Sequence, residues 1–172
     1  VCVRLFVAAW PPERVVARLD ALDRPPFAGL RWTKSEHQHV TLEFLGDVAE
    51  TAVGSLSTAL ETWAKGIAPA RAFVGPSTEL LGNRVLCLPV RGLDEVAAGI
   101  RTVTTGLGFV RGERVFTGHL TLARTRGRQR IPAGLTGEAV SGDWLVDEIR
   151  LVVSFLSPEG PRYEPVTLIR MG

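Results

Sequence analysis

The chain lacks any apolar run that could cross a bilayer: stretches such as Leu151-Val152-Val153 and Val85-Leu86-Cys87-Leu88 end after a few residues, where about 20 are needed. A membrane partner is therefore not expected. Cysteine is scarce. The two present, Cys2 and Cys87, sit in apolar, strand-like runs, which reads as two small buried thiols and not as a disulfide framework. The opening residues Val1-Cys2-Val3-Arg4-Leu5-Phe6-Val7-Ala8-Ala9-Trp10 lack a basic leader and a small-residue cleavage site, so they read as a first strand. Together these features predict a cytoplasmic protein. Excess charge is also missing. Twenty Lys and Arg against 18 Asp and Glu leave +2, well short of a protein that coats nucleic acid. No G-x-x-x-x-G-K-[ST] phosphate loop occurs.

Only three histidines are present, yet two of them head the same tetrapeptide, His39-Val40-Thr41-Leu42 and His119-Leu120-Thr121-Leu122. Histidine has an unperturbed pKa of about 6.5 and can give or take a proton near neutral pH, so a pair can do both in one turnover. In a strand, residues i and i+2 share a face. His39 would then lie beside Thr41, and His119 beside Thr121, with the intervening aliphatic residues turned into the core. If both strands face one groove, two imidazoles and two hydroxyls converge, an inventory suited to a phosphodiester. One imidazole would act as base on the attacking water and the other as acid on the leaving oxygen, while the hydroxyls hydrogen-bond phosphate oxygens. That scheme needs no metal and no cofactor.

A strand is expected over 3–9, then a helix from Pro11-Pro12-Glu13 to about residue 22, opened by proline and an acid. Short strands follow over 29–33 and 38–45, the second carrying the first motif and ending at Gly46. Val53, Leu56, Leu60 and Trp63 mark an amphipathic helix over 49–65. Strands at 70–74 and 84–90 flank a turn at Gly82-Asn83, and a helix spans 93–107. The second motif lies on a strand over 116–124, a long apolar strand or strand pair covers 144–156, and a hairpin turning through Ser157-Pro158-Glu159-Gly160-Pro161 ends the chain. Motif-bearing strands thus precede helices in each of two similar halves, although no residue-by-residue repeat is visible outside the motifs.

The blocks around both motifs resemble the two-histidine phosphoesterase superfamily, and within it the RNA 2',3'-cyclic phosphodiesterases, also called 2'-5' RNA ligases. The similar segments are Arg4-Leu5-Phe6-Val7-Ala8, Leu30-Arg31-Trp32, His39-Val40-Thr41-Leu42-Glu43-Phe44-Leu45-Gly46, Phe116-Thr117-Gly118-His119-Leu120-Thr121-Leu122-Ala123-Arg124 and Gly160-Pro161-Arg162-Tyr163. The resemblance implies an α+β, bilobal, pseudo-symmetric fold, with two antiparallel sheets facing a central groove and helices outside. Residues 1–172 would form one domain of two interleaved lobes. It implies opening of an RNA 2',3'-cyclic phosphate to a 2'-phosphate, with His39 as proton donor, His119 as proton acceptor, and Thr41, Thr121 and Arg124 binding the phosphate. Implied substrates are RNA ends, tRNA fragments or small cyclic nucleotides. Joining of tRNA halves through a 2'-5' bond is the related reverse chemistry. A monomer is the default expectation.

Arg124 opens the series Arg124-Thr125-Arg126-Gly127-Arg128-Gln129-Arg130, whose later members also fit a solvated loop. Strict alternation would put Arg124 opposite His119, so its role requires a bulge or a strand end. Phe6 and Phe44 read as core residues, with support of the groove or stacking on a base as the other reading. His37 stands where the family often has asparagine, and reads as partly exposed without a catalytic role. Two rival readings remain: a zinc-dependent hydrolase with His37, His39 and His119 as ligands, and an RNA-end binder without catalysis.

Overall fold

The computed structural model describes residues 1–109, 112, 115–158 and 160–172. Glu159, in the expected C-terminal turn, lies outside them. In chain order the elements are β1 (Cys2–Ala9), α1 (Glu13–Asp20), β2 (Leu30–Trp32), a 3₁₀ turn (Ser35–His37), β3 (Val40–Ala49), α2 (Glu50–Ala64), β4 (Ala70–Val74), β5 (Glu79–Leu81), β6 (Val85–Arg91), α3 (Asp94–Gly106), β7 (His119–Thr125), a second 3₁₀ turn (Ala133–Leu135), β8 (Gly142–Val146), β9 (Glu148–Ser157) and β10 (Gly160–Arg170).

The strands run antiparallel in the order β10-β9-β1-β3-β7-β6-β4-β8, with β2 on β7 and β5 on β6. The two expected sheets are the halves of this order, and the motif strands β3 and β7 lie side by side at its centre. They share one paired position, Val40 with Leu120. Each half repeats a strand–helix–strand unit, β1-α1-β3 and β6-α3-β7, whose two strands pair with each other. The expectation that each motif strand precedes a helix holds for β3 and fails for β7, which leads into a loop and a 3₁₀ turn. The lobes interleave because the chain returns to the first half with β9 and β10 after adding β8 to the second.

One sheet face packs on the helices. Leu56, Leu60 and Ala64 of α2, and Val96, Ala97 and Ile100 of α3, recur every three or four residues and join Leu5, Val7, Val40, Leu42, Leu120 and Leu122 in the main core. The other face of β1 is buried too: Phe6 and Ala8 pack with Val152, Trp10 and Tyr163 beneath the groove. This double burial explains the unbroken apolar run at the start of the chain.

Local geometry departs from the sequence pattern at several points. Gly46 does not end β3. It takes φ 66°, open to glycine without penalty, and the strand continues to Ala49 past a bulge at Leu45. Strand β7 starts at His119 and not at Phe116; just before it, the Gly118 carbonyl accepts from the Val90 N–H at 2.8 Å, and Gly118 lies so close that a Cβ would fall 2.2 Å from the Val90 carbonyl oxygen. Strand β5 was not expected, and pairs with β6 across the Gly82-Asn83 turn. Cys87 is buried, as expected, whereas Cys2 is exposed, since the first residue of β1 pairs with Ala49 beyond the cover of the helices. No helix among the described residues is long and apolar enough to cross a membrane.

Leu120 and Val40 are both fully buried at the junction of the halves. Leu120→Ala is expected to lower stability by about 2–5 kcal/mol, measured by urea unfolding, because the cavity would open where the lobes have their one paired position.

Candidate active site

Both motifs carry the same irregularity. In β3, Thr41 pairs with Ala8 and Glu43 with Val7, leaving Leu42 as the extra residue of a bulge. In β7, Thr121 pairs with Cys87 and Ala123 with Leu86, leaving Leu122 extra. A bulge shifts the alternation by one residue. Leu122 and Ala123 are therefore both buried, and Arg124 emerges on the face of His119 and Thr121, with its Nη2 donating to Thr121 Oγ1 at 3.2 Å. The bulge that the Arg124 assignment requires is present. Phe44 occupies the equivalent place in the first motif, five residues after its histidine, and lines the groove 45% exposed.

The antiparallel pairing of Val40 with Leu120 brings His39 toward Thr121 and His119 toward Thr41. The two rings are held alike. Nδ1 of His39 lies 2.7 Å from the carbonyl oxygen of His37, and Nδ1 of His119 lies 2.7 Å from that of Thr117. In the neutral ring such a bond fixes the proton on Nδ1 and leaves Nε2 as a lone pair for the groove.

Their surroundings differ. Trp10 and Phe6 stack on His39 with centroids at 4.8 and 5.0 Å, and the edge of Tyr163 meets it at 5.2 Å. Trp10 is itself anchored by Nε1 donating to the Glu36 carbonyl at 3.2 Å. Burial in this box lowers the His39 pKa from 6.5 to about 4, with nearby His37, Arg124 and His119 acting in the same direction against the hydrogen bond to the His37 carbonyl. Beside His119, the cross-strand neighbour is Pro89.

His39, Thr41, His119, Thr121 and Arg124 all line one groove of about 930 Å³. Among the described residues, its cationic side chains Arg31, Lys34, Arg124 and Arg162 face one carboxylate, Glu36. The modest overall charge is thus concentrated where an anion would enter. Arg126, Arg128 and Arg130 lie outside the groove. Phe6 is both core and groove floor. His37 belongs to the 3₁₀ turn and not to the strand, and its half-buried ring meets Tyr163 at 4.9 Å. Among the described residues no group of three His, Cys, Asp or Glu side chains is placed to hold a metal ion, so His37, His39 and His119 do not assemble as the ligand set one reading required.

The LigT like Phosphoesterase family model matches residues 9–75, which include the first motif. The RNA 2',3'-cyclic phosphodiesterase of Methanothermobacter thermautotrophicus is 28% identical over 98% of this chain and 99% of its own. That of Aeropyrum pernix is 28% identical over 78% and 82%. The crystal structure of TT0787 of Thermus thermophilus superposes with a TM-score of 0.86 at 28% identity, covering 98% of this chain and 97% of its own. The structure of E. coli LigT complexed with 3'-AMP superposes with a TM-score of 0.79 at 26% identity, covering 99% of each chain. These likenesses, over nearly the whole chain, support a place among the two-histidine phosphoesterases.

Within the aromatic box, sequence reasoning left Trp10 and Tyr163 without a role. Trp10 continues the alternation Phe6, Ala8, Trp10 along the groove face of β1, a period-2 signal visible in the sequence. Tyr163 arrives from β10, and only the fold brings it to His39.

Because the folded pKa of His39 lies below the unfolded value, the unfolded chain binds the proton first as the pH drops. The stability gained from the neutral ring is complete above pH 6.5 and is lost as pH falls through about 4. Trp10→Ala should open the box and move the His39 titration, followed by NMR, upward toward 6.5. An unmoved midpoint would show that Trp10 does not cause the shift.

Proposed function

We propose that this protein hydrolyses RNA 2',3'-cyclic phosphate ends to 2'-phosphomonoesters by metal-independent acid–base catalysis with two histidines. The observation that supports this most is the matched pair of imidazoles, each tied back through Nδ1 and set beside a threonine in one cationic groove. The names of the relatives and the 3'-AMP complex of E. coli LigT agree with a nucleotide phosphate as ligand.

In this reading Thr41, Thr121 and Arg124 hold the non-bridging oxygens. His119 Nε2 takes a proton from water as its oxygen bonds to phosphorus, the bond from phosphorus to O3' breaks, and His39 Nε2 gives its proton to O3'. The products are a 2'-phosphomonoester and a free 3'-hydroxyl. Transfer of the gained proton from His119 back to His39 through solvent restores the starting state. In the empty groove His39 is neutral near pH 7, so it must gain its proton with the substrate. The phosphodiester's negative charge favours that uptake by facing the ring in a poorly solvated space. The same chemistry with a 5'-hydroxyl in place of water, run toward bond formation, would join RNA ends through a 2'-5' linkage.

The low basicity of His39 also favours a second reading, in which His39 is the base and His119 the acid. A good leaving group needs no acid, so a 4-nitrophenyl phosphodiester separates the two. His39→Ala and His119→Ala should each lose about 10²- to 10⁴-fold on an RNA cyclic phosphate, assayed with EDTA present. On the nitrophenyl ester the His39→Ala loss should shrink to less than about tenfold, while the His119→Ala loss persists. The opposite pattern would exchange the roles. Activity abolished by EDTA and restored by zinc would overturn metal independence, and binding of RNA ends without hydrolysis would leave a recognition protein.

Arg124→Ala is expected to raise KM for the cyclic phosphate by about tenfold or more, the loss of a charge-assisted hydrogen bond. Arg128→Ala should leave KM within about twofold, as surface substitutions usually do. Equal effects would remove Arg124 from phosphate binding.

A further inference from the structure

A second cavity of about 330 Å³ lies against the wall of the groove, lined by Trp10, Glu36, His37, Arg150, Val152, Arg162, Tyr163 and Pro165. It shares Glu36, His37, Arg162 and Tyr163 with the groove, and its Trp10 stacks directly on His39. One layer of rings thus separates it from the proposed proton donor. Its volume sits at the small end of the range for ligand pockets, about 300–1,000 Å³.

Two guanidiniums furnish it. Arg150 lies over the Trp10 ring at 5.0 Å and bonds Glu148 through Nε at 3.2 Å, so among the described residues Nη1 and Nη2 have no hydrogen-bond partner. Arg162 lies over Phe155 at 4.9 Å and pairs with Glu164 through Nη2 at 2.9 Å. Both guanidiniums are held by aromatic contacts, with donors left for an anion. Trp10 is already engaged by His39 and by Arg150, so the cavity suits a phosphate better than a stacked base.

We infer that this cavity is a subsite for the phosphodiester one nucleotide upstream of the reacting end, so that the protein prefers a polynucleotide end to a mononucleotide. This rests on the proposed hydrolysis of cyclic phosphate ends. A contact to the sugar–phosphate backbone positions a chain without reading its sequence, so the preference should not depend on the upstream base.

The test compares KM for a nucleoside 2',3'-cyclic phosphate with KM for dinucleotides ending in the same group. The wild-type protein is expected to show a KM about tenfold lower for the dinucleotides, whichever upstream base they carry. Their log KM should rise more steeply with log salt, by about 0.7 for the added phosphate contact. Arg150→Gln and Arg162→Gln should each bring the ratio of the two KM values toward one. Equal KM values in the wild type, or a ratio that survives both substitutions, would overturn the subsite and leave the hydrolysis standing. Hydrolysis of neither substrate would overturn both.

Discussion

One backbone pairing, Val40 with Leu120, joins the two halves of the sheet, and the site depends on it. Because the strands are antiparallel, the pairing acts as a local twofold centre, setting each histidine near the threonine of the other motif. The bulges at Leu42 and Leu122 sit symmetrically about it and turn a fifth residue of each motif back to the groove. Neither lobe alone could assemble the cluster. The helices and the main core serve mainly to hold two edges together at one point.

The two chemically identical imidazoles sit in different environments. Trp10, Phe6 and Tyr163 remove water from one ring, whereas the strand beside the other offers a proline. Desolvation, helped by nearby His37, Arg124 and His119, lowers the proton affinity of His39. An anion entering the groove meets cations from β2, β7 and β10 and the segment after β2.

Much of this was legible in the sequence because the information was local. His39 and Thr41, and likewise His119 and Thr121, are two residues apart, and strand alternation alone puts each pair on one face. The helices were legible from three- and four-residue spacing. Arg124 shows the limit of such reasoning: alternation places it wrongly, and only the extra residue at Leu122 brings it round. Tyr163, Arg150 and Arg162 were illegible for another reason. They come from β9 and β10, which the chain lays beside β1 only at its end, and nothing near His39 in sequence announces them. The start of the first motif strand was set too early, because a 3₁₀ turn over Ser35–His37, held by backbone bonds, runs up to the motif and β3 begins only at Val40.

The two fifth positions, Phe44 and Arg124, have a further consequence. A groove built on a twofold centre would accept a diester equally well in either direction. Here one lobe presents a flat ring, backed by the Arg4 guanidinium at 5.3 Å, and the other presents a cationic edge beside Thr121. A ligand with a planar base at one end and an anion at the other therefore meets a site with a head and a tail. The symmetry that assembled the chemistry is broken at the position that decides which way round a substrate lies.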